Sequence, residues 1–429
     1  MTMVTDTLHA DLAIIGAGLS GMSAALFAVN RGISTVLIGP GNAINFASGL
    51  MDVMGVFPAG QEWDDPWAAI NRVREAMPGH PYAAIPDGVI GQAIRELIAF
   101  LGANGLVYQR AAQRNVPVVT SLGTVKKSHL IPGSMWNGVL AFESRSPSLI
   151  IDFHGMKLFS ARQIVSTLSG QWPGLLSRRL EFPGTSHLEE VHPEHLARVL
   201  DVSANRKKLA DLVLPHLSRE AYVGFPPILG MAASGEAVSE LEHLLGRPVF
   251  EIPMPPVSVP GIRLREALVR GLGKNELLHS LPDMVKGINT LSSGGFSLTV
   301  EKEDGCRRRV RSQGVLLSTG RFLGRGLIAE RSGIRESLLD LPVIQPGSRQ
   351  MWHHPDLFHP EGHPVNQAGI EVDARFRPLT LLSRPYAEHL YAAGSILAHS
   401  DWTRLKCGSG VAVATAYAAV TAFEKGLTY

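Results

Sequence analysis

The chain has 429 residues, 45% hydrophobic and 18% charged, with a formal net charge of +2. That length suits two or three domains, or one large unit carrying an insertion, and the apolar content describes a well-buried globular protein. Near-neutral charge argues against nucleic acid as the main partner, and two distant cysteines, Cys306 and Cys407, cannot build a disulfide framework or hold an iron–sulfur cluster alone.

The opening "MTMVTDTLHADLAIIGAG" lacks the basic start, long apolar run and small-residue cleavage site of a signal peptide. No later stretch reaches the ~20 continuous apolar residues of a membrane-spanning helix. A reducing, cytoplasmic location without a transmembrane segment is expected. "DLAIIGAG" reads as a strand buried on both faces, "SGMSAALFAVNRG" as a helix closed by Gly32, and "ISTVLIG" as a second buried strand. Together they make a right-handed βαβ unit.

Residues 1–127 are expected to form the first part of a nucleotide-binding domain. The Pro- and Ser-rich stretch "SHLIPGSMWNGVLAFESRSPS" then opens an inserted domain over 128–254, with strands at "SLIIDFHG" and "AYVGFPPILG" and helices between them. Residues 255–429 return to the first domain. There "CRRRVRS" alternates like an exposed strand, and "GVLLSTGRFLG" is a buried strand stopping in Ser-Thr-Gly. A final strand precedes Gly394 and Ser395, and Gly408 and Gly410 open an Ala-rich, apolar helix.

Gly16-Ala17-Gly18-Leu19-Ser20-Gly21 is a G-x-G-x-x-G between strand and helix. The first glycine permits the tight turn, the second lets backbone approach phosphate, and the third lets helix pack closely on strand. The helix N-terminus offers N–H groups to an anion. The acid expected about 20 residues on, for an adenosine ribose, is absent: the second strand ends Leu37-Ile38-Gly39-Pro40. Either another group serves the ribose, or the ligand lacks the adenosine half.

These patches resemble, in order, the flavoproteins of the fumarate reductase and succinate dehydrogenase superfamily. The resemblance implies an α/β fold, a Rossmann-like FAD/NAD(P)-binding domain of the glutathione reductase/fumarate reductase type with an inserted second domain. It further implies that Gly16, Gly18, Leu19, Ser20, Gly21, Thr319, Gly320, Gly394, Ser395, Gly408, Gly410 and Val411 bind the cofactor. Ser48 and Gly49, in "NFASGLMD", would touch its phosphate or ring edge. Ser395 departs from the Asp often found there, keeping a hydrogen-bonding hydroxyl without the charge.

"NFASGLMDVMG", "VTSLGTVKKS", "LSTGRFLGRGLIAERSGIRE" and "AAGSILAHSDWTRLKCGSGVAVATA" look more narrowly like the B subunits of anaerobic glycerol-3-phosphate dehydrogenase. That family resemblance implies flavin-dependent oxidation of sn-glycerol 3-phosphate to dihydroxyacetone phosphate, with electrons passed to a quinone and on to fumarate or nitrate. It implies two partners within a complex, an A subunit carrying FAD and a C subunit carrying iron–sulfur clusters. The latter would attach the complex to the inner face of the cell membrane. FMN is expected, since it has no adenosine ribose to hold; FAD is the alternative.

Among the histidines, His399 in the loop before the final helix is the favoured base, and Lys126 in "LGTVKKS" the favoured phosphate ligand, ahead of Arg263, Arg331 and Arg335. Prolines interrupt "MWHHPDLFHPEGHP", so no metal site is expected. Two other functions stay open: a non-catalytic scaffold or electron relay with a weakened flavin site, and a stand-alone FAD-dependent oxidoreductase.

Overall fold

The computed structural model describes residues 4–427. Its principal elements in chain order are β1 (Val4–Ile15), α1 (Leu19–Val29), β2 (Thr35–Ile38), α2 (Gly133–Ser144), β3 (Ser148–Phe153), β4 (Leu175–Leu180), β5 (Tyr222–Phe225), β6 (Val249–Glu251), β7 (Leu278–Leu281), β8 (Met284–Thr290), β9 (Phe296–Glu301), β10 (Arg307–Leu317), β11 (Leu390–Ala392) and α3 (Gly408–Leu427). No helix among the described residues is long and apolar enough to cross a membrane.

The chain divides into two compact units. Met1–Ala43, Asp52–Ala99 and Arg270–Tyr429 form the first; Ile44–Met51 and Phe100–Val269 form the second. The second unit is wider than the 128–254 read from the sequence. The Pro- and Ser-rich stretch that looked like its border instead starts α2 inside it. The short Ile44–Met51 segment joins it through pairing that no local pattern announces: Met51 and Leu130 exchange backbone hydrogen bonds of 3.0 and 3.1 Å, and the Ser258 hydroxyl donates to the Ala47 carbonyl.

In the first unit a seven-stranded sheet runs in the order β7-β2-β1-β10-β9-β8, with β11 also beside β10. β7, β2, β1, β10 and β11 are parallel, whereas β8 and β9 form an antiparallel extension. β10 shares one edge between two partners, pairing with β9 through residues 307–312 and with β11 through 315–317. Its sequence follows that division: the arginine-rich half alternates exposed and buried positions, and the Gly314–Leu317 half is buried throughout. Both α1 and α3 are apolar nearly all round and sit in the interior, with Phe27 meeting Tyr417 edge to face at 5.0 Å. Each large apolar side chain so buried contributes roughly 1.5–3 kcal/mol.

The second unit is built on its own parallel sheet, ordered β6-β5-β3-β4. Every β3 position is buried, as in a strand covered on both faces, and the core includes Phe153, Trp172, Phe182 and Phe250. Arg263 and Glu251 form a buried bidentate pair, Nη1–Oε2 2.6 Å and Nη2–Oε1 2.8 Å. The same arginine donates through Nε to the Gly230 carbonyl, and Glu251 also accepts from the Leu229 N–H. Arg263 is therefore a structural cation, taken up by an ion pair, and not a phosphate ligand.

Breaking this pair strands a charge in the interior. Arg263→Met is expected to cost about 3–5 kcal/mol in urea unfolding. The double variant carrying Glu251→Met as well should recover much of that loss, since no unpaired carboxylate remains.

Candidate flavin-binding site

The carboxyl ends of β1, β10 and β11 meet in the first unit, and the turns that follow them build the site. After β1, Gly16 has φ +103° and its N–H donates to the Ile38 carbonyl at 2.7 Å. A Cβ there would lie 2.2 Å from the Ser318 carbonyl oxygen, and one on Gly21 would lie 1.7 Å from the Gly16 carbonyl oxygen. Gly18 differs: nothing stands within 4 Å of its Cβ direction. It precedes α1 and offers no capping side chain, so the opening turn at Leu19, Ser20 and Gly21 borders open volume with helix N–H groups left over for an anion.

The second turn is Ser318-Thr319-Gly320. Ser318 donates its N–H to the Ile15 carbonyl at 2.8 Å, and its hydroxyl lies 3.4 Å from that of Ser20. Gly320 has φ +68°, and the Thr319 hydroxyl is buried without a partner in the protein. The third turn follows β11: Gly394 has φ +80°, and a Cβ on it would strike Ser20 at 2.7 Å. Its N–H donates to the Thr415 hydroxyl at 2.8 Å, and that hydroxyl itself donates to the Val411 carbonyl of α3. The Ser395 hydroxyl stands 3.4 Å from where a Cβ of Gly320 would be. Nine predicted positions, Gly16, Gly18, Leu19, Ser20, Gly21, Thr319, Gly320, Gly394 and Ser395, thus lie on three adjoining turns. Backbone too close for any side chain, open space at Gly18 and an orphaned hydroxyl at Thr319 fit a phosphate-bearing cofactor.

The N-terminus of α3 corrects part of the expectation. Gly410 donates its N–H to the Asp52 carbonyl at 2.8 Å, and Val411 donates to the Cys407 carbonyl at 2.9 Å. The Tyr82 hydroxyl, which donates to the Val53 carbonyl, fills the place where a Gly410 Cβ would be. Gly410 and Val411 are packed against protein, so their N–H groups are not available to a ligand; Gly408, packed against Trp402, remains at the helix start.

The missing acid also has a structural cause. Gly39, directly after β2, has φ +151°, and a Cβ on it would sit 2.8 Å from the Ala17 nitrogen. No side chain fits at position 39 without displacing the glycine loop.

His399 has φ +64°; its N–H donates to the Gln367 carbonyl at 2.9 Å, and its Nε2 lies 3.4 Å from Glu371 Oε1. It borders a cavity of about 310 Å³ shared with His80. His80 is buried and its Nδ1 accepts from the Tyr82 N–H. Burial, with a smaller contribution from His399, pulls its pKa down to about 3. Cys407 is fully buried beside the Ser400 hydroxyl, and burial raises its thiol to about 12, which removes it as a thiolate nucleophile.

Ser48, Gly49 and Lys126 belong to the second unit. Gly49 has φ +80°, its carbonyl accepts from the Tyr108 hydroxyl at 2.7 Å, and a Cβ on it would meet Pro260 at 2.5 Å. Lys126 is half-buried on the short strand Val125–Ser128, opposite Val118. Among the described residues no group of three or more His, Cys, Asp or Glu side chains is placed to hold a metal ion. Arg321 escaped sequence reasoning: its Nη2 donates to the Leu397 and Ser400 carbonyls and its Nη1 to that of Asn366. The available signal was a cation inside a glycine-rich strand exit.

Two measurements check these assignments. In the folded protein Cys306, which is exposed, should react with an aromatic disulfide reagent, while Cys407 should react only on unfolding. His80 binds a proton more readily unfolded than folded, so its contribution to stability is present above about pH 6.5 and is lost as pH falls toward 3. His80→Asn should flatten the acid side of the stability profile, read as unfolding midpoints between about pH 6 and pH 4.

Several known proteins are similar to this chain. The family model described as "FAD binding domain" matches residues 11–411. The B subunit of anaerobic glycerol-3-phosphate dehydrogenase from Yersinia pestis bv. Antiqua (strain Antiqua) is 28% identical over 426 residues, covering 95% of this chain and 96% of that protein. A protein named as a probable B subunit of the same enzyme, from Halobacterium salinarum (strain ATCC 29341 / DSM 671 / R1), is 30% identical over 434 residues, covering 98% and 99%. Among solved structures, 3-ketosteroid delta1-dehydrogenase from Sterolibacterium denitrificans aligns with a TM-score of 0.46 at 12% identity, covering 98% of this chain and 100% of that one. The chain belongs to the FAD binding domain family of flavoproteins, in the group that contains the B subunits of anaerobic glycerol-3-phosphate dehydrogenase.

Proposed function

We propose that the chain is the B subunit of a flavin-dependent glycerol-3-phosphate:quinone oxidoreductase, oxidising sn-glycerol 3-phosphate to dihydroxyacetone phosphate. The observation that supports this reading is a set of three adjoining glycine turns, with open space beside Gly18, in a chain 28–30% identical to B subunits over nearly its whole length. A bound flavin supplies the hydride acceptor. The chain's own part is to hold the phosphate at Gly18 and the α1 N-terminus and to receive the cofactor against Thr319, Gly320, Gly394 and Ser395. His399 takes the substrate hydroxyl proton, with Glu371 stabilising the resulting imidazolium.

FMN is the proposed flavin, because β2 and the turn after it, Leu37-Ile38-Gly39-Pro40, carry no acid for an adenosine ribose. The family description, which names FAD, favours FAD as the second reading. In this proposal the A subunit of the complex carries FAD and the C subunit carries iron–sulfur clusters. The assembly works at the inner membrane face, with electrons reaching quinone and then fumarate or nitrate. The filled helix start at Gly410 favours a competing assignment, a scaffold or relay with a weakened flavin site.

Absorbance of the purified protein, followed by acid release and chromatography, decides between them. A yellow preparation yielding FMN supports the proposal, FAD supports the second reading, and folded protein that takes up neither flavin overturns both. With the other subunits present, glycerol 3-phosphate should bleach the bound flavin. His399→Gln should slow that bleaching by about 10²–10⁴-fold without changing flavin content.

A further inference from the structure

Arg321 stands directly after Gly320, where the chain leaves β10. Its guanidinium points to no carboxylate at salt-bridge distance among the described residues; it is held by three main-chain carbonyls. Nη2 donates to Leu397 at 3.0 Å and to Ser400 at 2.8 Å, and Nη1 donates to Asn366. Leu397 and Ser400 bracket His399, which has the left-handed backbone noted above, and the His399 N–H is tied to Gln367, next to Asn366.

Asp401 completes the mesh. Its carboxylate accepts from Asn366 Nδ2 at 3.1 Å and from the Arg404 N–H at 3.3 Å, capping the short helix Trp402–Leu405 that leads to Cys407 and α3. Burial pulls the Arg321 guanidinium down to about 10, opposed by Asp401, so it remains charged at neutral pH. A charged donor held on carbonyls in a half-buried setting makes hydrogen bonds stronger than neutral ones, and three in a planar fork fix direction as well as distance.

We propose that Arg321 is a positioning residue for the redox site: it clamps the loop between β11 and α3, and so sets both His399 and the segment that leads from the Gly394-Ser395 turn into α3. The assignment rests on the flavin reading above. It differs from a role in folding alone, because the clamp joins the exit of one cofactor turn, Thr319-Gly320, to the loop that leaves another, Gly394-Ser395. Lysine cannot reproduce it, since a single ammonium lacks the planar fork that reaches two carbonyls through Nη2 and a third through Nη1.

The test uses full-length R321M and R321K beside the wild type. Amide hydrogen exchange on flavin-free protein reads the clamp: in R321M the amides of His399 and Leu405 should exchange about tenfold faster or more, with β1 unchanged. Flavin titration reads the consequence, with R321M binding FMN or FAD about tenfold more weakly or worse and its bound-flavin absorption bands moving toward those of free flavin. R321K should fall between R321M and wild type on both measures. Unchanged exchange at 397–405 overturns the proposal, as does faster exchange with unaltered flavin affinity and spectrum. If R321M loses protection in β1 as well, it has unfolded, and the same two readouts on R321K decide. Wild-type protein that binds no flavin overturns the proposed function itself, a result seen before any variant is compared.

Discussion

Backbone lying on backbone, with no room for a side chain between, is the contact on which the first unit depends. Gly21 rests on the Gly16 carbonyl and Gly16 on the Ser318 carbonyl. The start of α1, the end of β1 and the end of β10 can therefore approach one another only through glycine. Every other feature of the site follows from that closeness. Ser20 reaches Ser318, Gly394 fits against Ser20, and Gly39 must be glycine because the loop formed by Gly16 and Ala17 already fills its side-chain direction. A fold that needed only hydrophobic burial would accept alanine at several of these positions. One that must bring backbone N–H groups to an anion does not.

The parts legible in the sequence are those whose signal is local. Gly16, Gly18 and Gly21 declare themselves by spacing between an apolar run and a helix, and the Ser-Thr-Gly and Ala-Gly-Ser stops mark the ends of β10 and β11. What the sequence concealed depends on partners far along the chain. The α3 start looked open, yet Asp52 and Tyr82, more than three hundred positions earlier, occupy the Gly410 surroundings. Arg263 was one of several cations open to a phosphate, and nothing local in the sequence reveals Glu251 as its buried partner. The limits of the second unit were misread for the same reason, since Met51 finds Leu130 only in three dimensions.

Charge is used sparingly inside this molecule, and each buried case has a defined answer. Buried Arg263 is met by a carboxylate, half-buried Arg321 by carbonyls, and half-buried Asp201 of the second unit by the N–H groups of Met231 and Ala232 at 2.8 and 3.0 Å. His80 and Cys407 take the opposite course, with burial driving both toward their neutral forms. Near the start of α3 the His80 imidazole and the Cys407 thiol are thus both held neutral.

The Thr415 hydroxyl, accepting from Gly394 while donating to Val411, makes a rigid lever of two elements that sequence treats as separate. A displacement of α3 along its axis must drag the Gly394 turn with it, and the turn cannot relax unless the helix does. Descendants of this chain are consequently not free to vary position 415 as an ordinary core residue. Valine would match the volume but cut the linkage, leaving serine as the substitution that keeps both bonds.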